Sequence, residues 1–237
     1  MNFSVKTALF RVFTALLCGL LVLSVMPLRA IGESQVYRSV KTNSMQIAIT
    51  FDDGPHPGNT GRILDVLKKH EIRATFFILG CNAGYYPEPL VRAIEEGHEI
   101  ENHTFDHKTK GRSTDELIRS IDKTGAVISA MTGRRPRYFR PPGGKCTPEM
   151  RAAIDFLGYE AVYWTIDSED WKGKSAESIV SSVMRSVRGN DIILFHDYTC
   201  PNDNTVEALL ILIPRLLRSG YRFVTVDELK SKTASRK

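Results

Sequence analysis

From Met45 to the carboxyl terminus, short β-branched or aromatic runs alternate with amphipathic helical stretches, and few folds accommodate that rhythm. The runs are Gln46–Phe51, Ala74–Leu79, His98–Asn102, Arg137–Phe139, Ala161–Ile166, Asp191–Phe195 and Phe223–Val226. Between them, apolar residues recur at helical spacing: Ile63, Leu64 and Leu67, then Leu90, Val91 and Ile94, then Leu117, Ile118 and Ile121. Further on come Met150, Ile154 and Leu157, then Ile179, Val180 and Val183, then Leu209, Leu210 and Ile213. Ser113 with Glu116, and Thr147-Pro148, are helix-start signals, while Gly97, Gly158 and Gly220 are stop signals. Seven strands alternating with about six helices predict an α/β fold whose parallel sheet is covered by helices. A distorted (β/α) barrel, one unit short of eight, accounts for this better than an open doubly wound sheet, which remains the alternative. The first strand runs into Phe51-Asp52-Asp53-Gly54 without a glycine-rich dinucleotide turn, and there is no phosphate-binding loop.

The 237 residues suffice for one sizeable core. Residues 45–229 read as a single catalytic domain, preceded by a polar linker over 31–44 and followed by a basic tail over 230–237. Residues 1–30 have a different character. Lys6 and Arg11 lead into an apolar run from Val12 to Leu28, which Arg29-Ala30 follows, as in a secretory signal or an uncleaved membrane anchor. Cys18 follows Leu17, which is not small, and this argues against lipidation there. Either reading exports the remainder, to the medium or to the outer face of the membrane and the cell wall, with the membrane touched only through this segment.

The formal charge of +5 is concentrated at that end. Without Lys6, Arg11 and Arg29 the chain carries 29 basic and 27 acidic residues, a balance that gives no footprint for nucleic acid. Cys81, Cys146 and Cys200 remain beyond the leader; they read as buried or free thiols, with one disulfide conceivable and unassigned. A monomer is expected.

The polar residues of interest fall where the strands end. Asp52 and Asp53 close the first run, and His103 and His107 follow the third. Arg140 ends the fourth, Asp167 and Asp170 follow the fifth, and His196-Asp197 ends the sixth. In a parallel barrel these ends share one face, where active sites are built. His103 and His107 have the i, i+4 spacing that sets two imidazoles on one side of a helical turn. With a carboxylate from the Asp52-Asp53 pair they form an N/O set suited to a catalytic metal with an open position. Pro141-Pro142-Gly143-Gly144 combines a fixed backbone with room for close approach of a ligand. Trp171 could wall a pocket.

Taken in order, Thr50-Phe51-Asp52-Asp53-Gly54, His103-Thr104-Phe105-Asp106-His107, Arg140-Pro141-Pro142-Gly143-Gly144, Asp167-Ser168-Glu169-Asp170-Trp171 and Leu194-Phe195-His196 resemble the five motifs of the NodB-homology polysaccharide deacetylases, carbohydrate esterase family four. The resemblance spans about Met45 to Leu229. It implies a distorted (β/α) barrel and a zinc-dependent hydrolase that removes N-acetyl groups from amino sugars of a glycan. It implies that Asp53, His103 and His107 hold a divalent metal, usually zinc, with Asp52 as general base and His196 as general acid. Arg140 would hold the base, Asp170 would orient the acid, and Pro142, Gly143, Trp171 and Leu194 would contact substrate. Gly143 stands where the family often carries an aromatic residue; its N–H can still serve the oxyanion, but a glycan contact is lost. An exported lone catalytic domain suits bacterial peptidoglycan. Chitooligosaccharides, an O-acetyl (acetylxylan-type) substrate, and an inactive glycan-binding relative are the alternatives.

Overall fold

The structure, a computed structural model, describes residues 36–37, 44–198 and 204–234. The export segment and Cys200 lie outside the described residues, so those two readings rest on sequence alone. Among the described residues there are nine strands: β1 (Val36–Tyr37), β2 (Gln46–Asp52), β3 (Thr75–Ile78), β4 (Glu99–Asn102), β5 (Tyr138–Phe139), β6 (Glu160–Val162), β7 (Ile166–Asp167), β8 (Ile192–His196) and β9 (Arg222–Phe223). Eight α-helices of the described residues cover them: α1 (Asn59–Lys69), α2 (Gly80–Tyr85), α3 (Pro87–Glu95), α4 (Thr114–Thr132), α5 (Pro148–Leu157), α6 (Ala176–Ser186), α7 (Asn204–Arg218) and α8 (Val226–Ala234). Every strand pair is parallel, in the order β1-β6-β5-β4-β3-β2-β8-β7, with β9 also against β2.

This order forces the sheet to curl. Six strand spacings separate β6 from β7, about 29 Å if flat. Yet only Tyr163-Trp164-Thr165 join them, and four residue steps reach at most about 14 Å. The two edges must approach each other, and the result is a distorted, incompletely closed barrel of seven principal strands. The open doubly wound alternative is thereby excluded.

β2 shows how the barrel sorts its side chains. All seven residues are buried, as expected for a parallel strand covered on both faces. Ile47, Ile49 and Phe51 join the core between sheet and helices, with Ile63, Leu64 and Leu67 of α1 and Leu209, Leu212 and Ile213 of α7. Ala48 faces the other way, into the barrel, beside Phe77, Tyr138, Val162 and Ile192. Alternation therefore carries Thr50 and Asp52 to the interior face as well. From the amino end, α8 inserts Val226 and Leu229 into the same cluster.

Helix termini follow the sequence signals. Ser113 and Glu116 form a reciprocal capping box on α4, and the Thr147 side chain caps α5. Gly158 ends α5 at φ 69°. Val91 and Leu210, expected in apolar stripes, are exposed instead. The stripe of α3 is carried by Leu90 and Ala93.

Four other expectations are corrected. The run Ala161–Ile166 is two strands near opposite ends of the sheet order, because the chain crosses from one end to the other between them. The 31–44 stretch contains β1, which pairs with β6 but is too short to show periodicity. Phe223–Val226 is not one strand: β9 ends at Phe223 and Val226 opens α8. Residues 230–234 of the expected tail belong to α8, and Lys230 is ion-paired to Glu160 rather than solvated. Among the described residues, no helix is long and apolar enough to cross a membrane. Cys81 and Cys146 are free thiols.

Candidate active site

The carboxyl ends of β2, β4, β7 and β8 surround a cavity of about 420 Å³. Strand pairing sets its first contact: Asp52 lies directly opposite His196 in the β2–β8 register. Asp52 is buried, and its Oδ1 accepts a 2.7 Å hydrogen bond from Arg140 Nη1. The same nitrogen donates to Thr50 Oγ1 at 2.8 Å, while Thr50 donates onward to the Ile193 carbonyl at 2.9 Å. The Arg140 guanidinium lies 4.0 Å from the centroid of the Phe77 ring. Burial pushes the Arg140 pKa down, and the Asp52 charge opposes that shift. Because the pair is fully enclosed, cutting one partner strands the other. Arg140→Met is expected to cost about 3–5 kcal/mol of stability, read by chemical denaturation, with Asp52 left buried and unpaired.

Asp53, next along the chain, takes φ 77°, a left-handed conformation unusual for a residue with a side chain. Thr104 (φ 76°) and His107 (φ 63°) do the same. Such residues typically cost of order 1–3 kcal/mol each and cluster at functional sites. Here they aim ligand-type groups at one point. His103 Nε2 and His107 Nε2 each lie 3.5 Å from Asp53 Oδ1, and the three ligand atoms fall within 4.8 Å of one another. The two imidazoles do not share a helical turn, as their spacing predicts. They meet across a loop, because Asn102 Oδ1 accepts from Thr104 N–H and Thr104 Oγ1 accepts from His107 N–H. Those local bonds replace the helical ladder.

The donor chemistry of this cluster fits a divalent cation. His103 Nδ1 faces the Arg140 carbonyl at 2.7 Å; a carbonyl can only accept, so Nδ1 carries the proton and Nε2 presents its lone pair. Burial pushes the His103 pKa down, favouring that neutral form. Asp53 Oδ1 is buried yet makes no hydrogen bond. The His103 lone pair and the unpartnered Asp53 oxygen thus converge beside His107 Nε2, an arrangement a cation relieves.

His196, at the end of β8, is oriented by Asp170. Its Nδ1 lies 2.8 Å from Asp170 Oδ1, and its backbone N–H donates to Oδ2 at 2.9 Å. Trp171 N–H and Thr205 Oγ1 also donate to this carboxylate, at 3.0 and 2.8 Å. Burial disfavours a charged His196, but the hydrogen bond and charge of Asp170, with the charges of Asp52 and Asp53, outweigh it and raise the pKa to about 9. The imidazole is therefore a protonated donor at neutral pH, its Nδ1–H directed to Asp170.

Gly143, Trp171 and Leu194 line the cavity, and Pro142 lines the neighbouring groove. Arg140 and Asp170 stand behind it as supports for Asp52 and His196. Sequence reasoning missed Trp164 and Tyr198, which also line it. Trp164 sits inside a run that reads as one continuous strand, and Tyr198, two residues past His196, carries no separate signal. Asp197 was also missed as a support: it accepts from Thr60 Oγ1 at 2.6 Å, and its carboxyl packs where a Gly54 Cβ would stand, 2.0 Å away. Only glycine fits between it and the Asp53 turn.

Fold and site together define a barrel hydrolase, with a His/Asp set able to hold a divalent metal beside a positioned carboxylate and imidazole. Residues 39–162 match the family model for polysaccharide deacetylases, and the chain belongs to that family. It is 38% identical over 192 residues to a peptidoglycan-N-acetylglucosamine deacetylase of Bacillus cereus, covering 80% of this chain and 90% of that protein. It is similar to a solved peptidoglycan N-acetylglucosamine deacetylase, with TM-score 0.79 and 35% identity over 83% of this chain and 92% of the other. The family 4 acetyl xylan esterase of Clostridium thermocellum, solved with a cobalt ion, gives TM-score 0.73 and 35% identity over 80% and 92%. Other relatives are longer, and the chain spans about two fifths of their length.

Proposed function

We propose that this chain is a zinc-dependent N-deacetylase acting on N-acetylated amino sugars of an exported glycan, with bacterial peptidoglycan as its substrate. One observation carries the reading: Asp52 and His196 occupy paired positions on neighbouring strands and line one cavity, with Asp53, His103 and His107 gathered in it. Asp53 Oδ1 and the two Nε2 atoms would hold the ion. A divalent cation there supplies Lewis-acid chemistry, lowering the pKa of a water from about 15.7 to about 7 and polarising an acetyl carbonyl.

The remaining work falls to side chains of this protein. Arg140 fixes Asp52 Oδ1, which leaves Oδ2 turned toward His103 Nε2 at 3.7 Å and able to take the proton of the attacking water. Addition to the amide carbonyl gives a tetrahedral oxyanion, for which the Gly143 N–H is the backbone donor. Its collapse expels an amine, and His196 Nε2 delivers the proton that makes this leaving group viable. Each acid or base step contributes roughly 10²–10⁴-fold. Trp171, Trp164 and Leu194 give the acetyl methyl apolar surroundings. Zinc suits a site of two imidazoles and a carboxylate with a position left open. The basic and apolar segment of residues 6–30 supports an extracytoplasmic location.

The test is mass spectrometry of peptidoglycan fragments, chitooligosaccharides and acetylxylan after incubation with zinc-loaded protein. Loss of acetyl groups from muropeptide sugars is expected, at a rate exceeding that on the neutral oligomers. Acetate released from acetylxylan alone would replace this reading with an O-acetyl esterase.

A further inference from the structure

A second concavity, of about 480 Å³, adjoins the catalytic cavity, and the two share His107 and Gly143 on their common rim. Gly143 has φ 59° and nothing within 4 Å of the position a Cβ would occupy, so no side chain divides them. The charges differ sharply between the two. Asp52, Asp53 and Asp167 line the catalytic cavity, whereas Lys108, Lys110, Arg112 and Lys145 line the groove and no acidic residue does. Asp106 is the nearby carboxylate, and both its oxygens are engaged, by Arg112 Nη2 at 2.8 Å and by Lys108 N–H at 3.3 Å. Arg112 is thereby compensated. Lys108, Lys110 and Lys145 are exposed and have no ion-pair partner among the described residues.

Three unpaired ammonium groups around one groove repel each other and attract an anion. A glycan whose acetamido group sits at Asp52 and His196 must continue past the rim, and over Gly143 it enters this groove. We propose that Lys108, Lys110 and Lys145 form a subsite for a carboxylate on the sugar next to the one deacetylated. The ligand class is then an amino-sugar polymer bearing acidic ether or peptide substituents, rather than a neutral one. Lysine suits such a subsite, since its point charge on a flexible stem follows a carboxylate whose position varies, where arginine would demand a fixed bidentate geometry. The inference rests on the deacetylase reading and adds the charge of the substrate to it.

Three tetrasaccharides test it: chitotetraose, an alternating N-acetylglucosamine–N-acetylmuramic acid oligomer, and the same oligomer with its carboxyl groups amidated. The zinc-loaded wild type is expected to favour the carboxylate over the amidated form by about tenfold in kcat/KM, mostly through KM, since exposed ion pairs are individually weak. Raising the ionic strength should shrink that ratio. The triple variant Lys108→Ala/Lys110→Ala/Lys145→Ala should bring it to within about twofold while chitotetraose turnover holds, and Lys→Glu at the same positions should invert it. Equal rates on the two muramyl substrates in wild type, or equal losses on all three substrates in the variant, would overturn the subsite. No acetate from any of the three would instead overturn the deacetylase reading, and the subsite with it.

Discussion

Alanine at His103 is expected to abolish both metal retention and acetate release. Its imidazole is locked by the Arg140 carbonyl at one nitrogen and offers the other to the cluster; it is also the most enclosed of the three ligands. What remains, Asp53 and the half-exposed His107, is a two-ligand site open to solvent. Metal content after dialysis, measured by atomic emission, should fall to near zero, and circular dichroism should show the fold intact. Acetate release should drop roughly a thousandfold, because Lewis-acid stabilisation is worth several kcal/mol and about 4 kcal/mol corresponds to that factor. Chelation of the wild type should match it and be reversed by zinc; the variant should not recover. A His103→Ala protein that is metal-free and fully active would sink the ligand assignment.

The polar residues of the cavity were legible in the sequence because a strand end is a sharp address. A buried parallel strand tolerates few polar side chains, so Asp52-Asp53 after Gln46–Phe51, and His196 after Ile192–Phe195, stand out against an apolar run. Their convergence then follows from parallel topology alone. Features that depend on which strands pair were hidden. The crossing by Tyr163-Trp164-Thr165 looks like continued strand, since all three residues have high β propensity, and only the pairing of β7 with β8 reveals a break. Trp164 was lost to the cavity for that reason. The 103–107 loop was hidden differently. Its spacing matches a helical turn, while its conformation is set by side-chain bonds from Asn102 and Thr104, which a periodicity argument does not weigh. In α8, Val226 and Leu229 seal the barrel's amino end, whereas the β-branched and aromatic run Phe223–Val226 reads as strand and the charged residues from 230 read as a tail.

Replacing His196 by alanine should separate metal binding from chemistry. The side chain contributes no atom to the Asp53 cluster, so zinc content should equal that of wild type. Turnover of N-acetyl substrates should fall by roughly 10²–10⁴-fold, the range for a general acid, because an amide nitrogen leaves only when protonated. An acetyl ester, whose oxygen departs more readily, should lose less. The pH profile identifies the proton. The hydrogen bond and charge of Asp170 raise the His196 pKa, and the donor form is lost as pH rises through the raised value. Asp170→Asn removes the charge that raises the pKa. It also sets an amide NH₂ against a backbone N–H whichever way it turns, since Trp171 N–H donates to Oδ1 and His196 N–H to Oδ2. The alkaline limb of kcat should therefore move to lower pH in Asp170→Asn with zinc retained. An unmoved limb, or a His196→Ala protein that has lost its zinc, would remove His196 from the acid role and return it to a structural or ligating one.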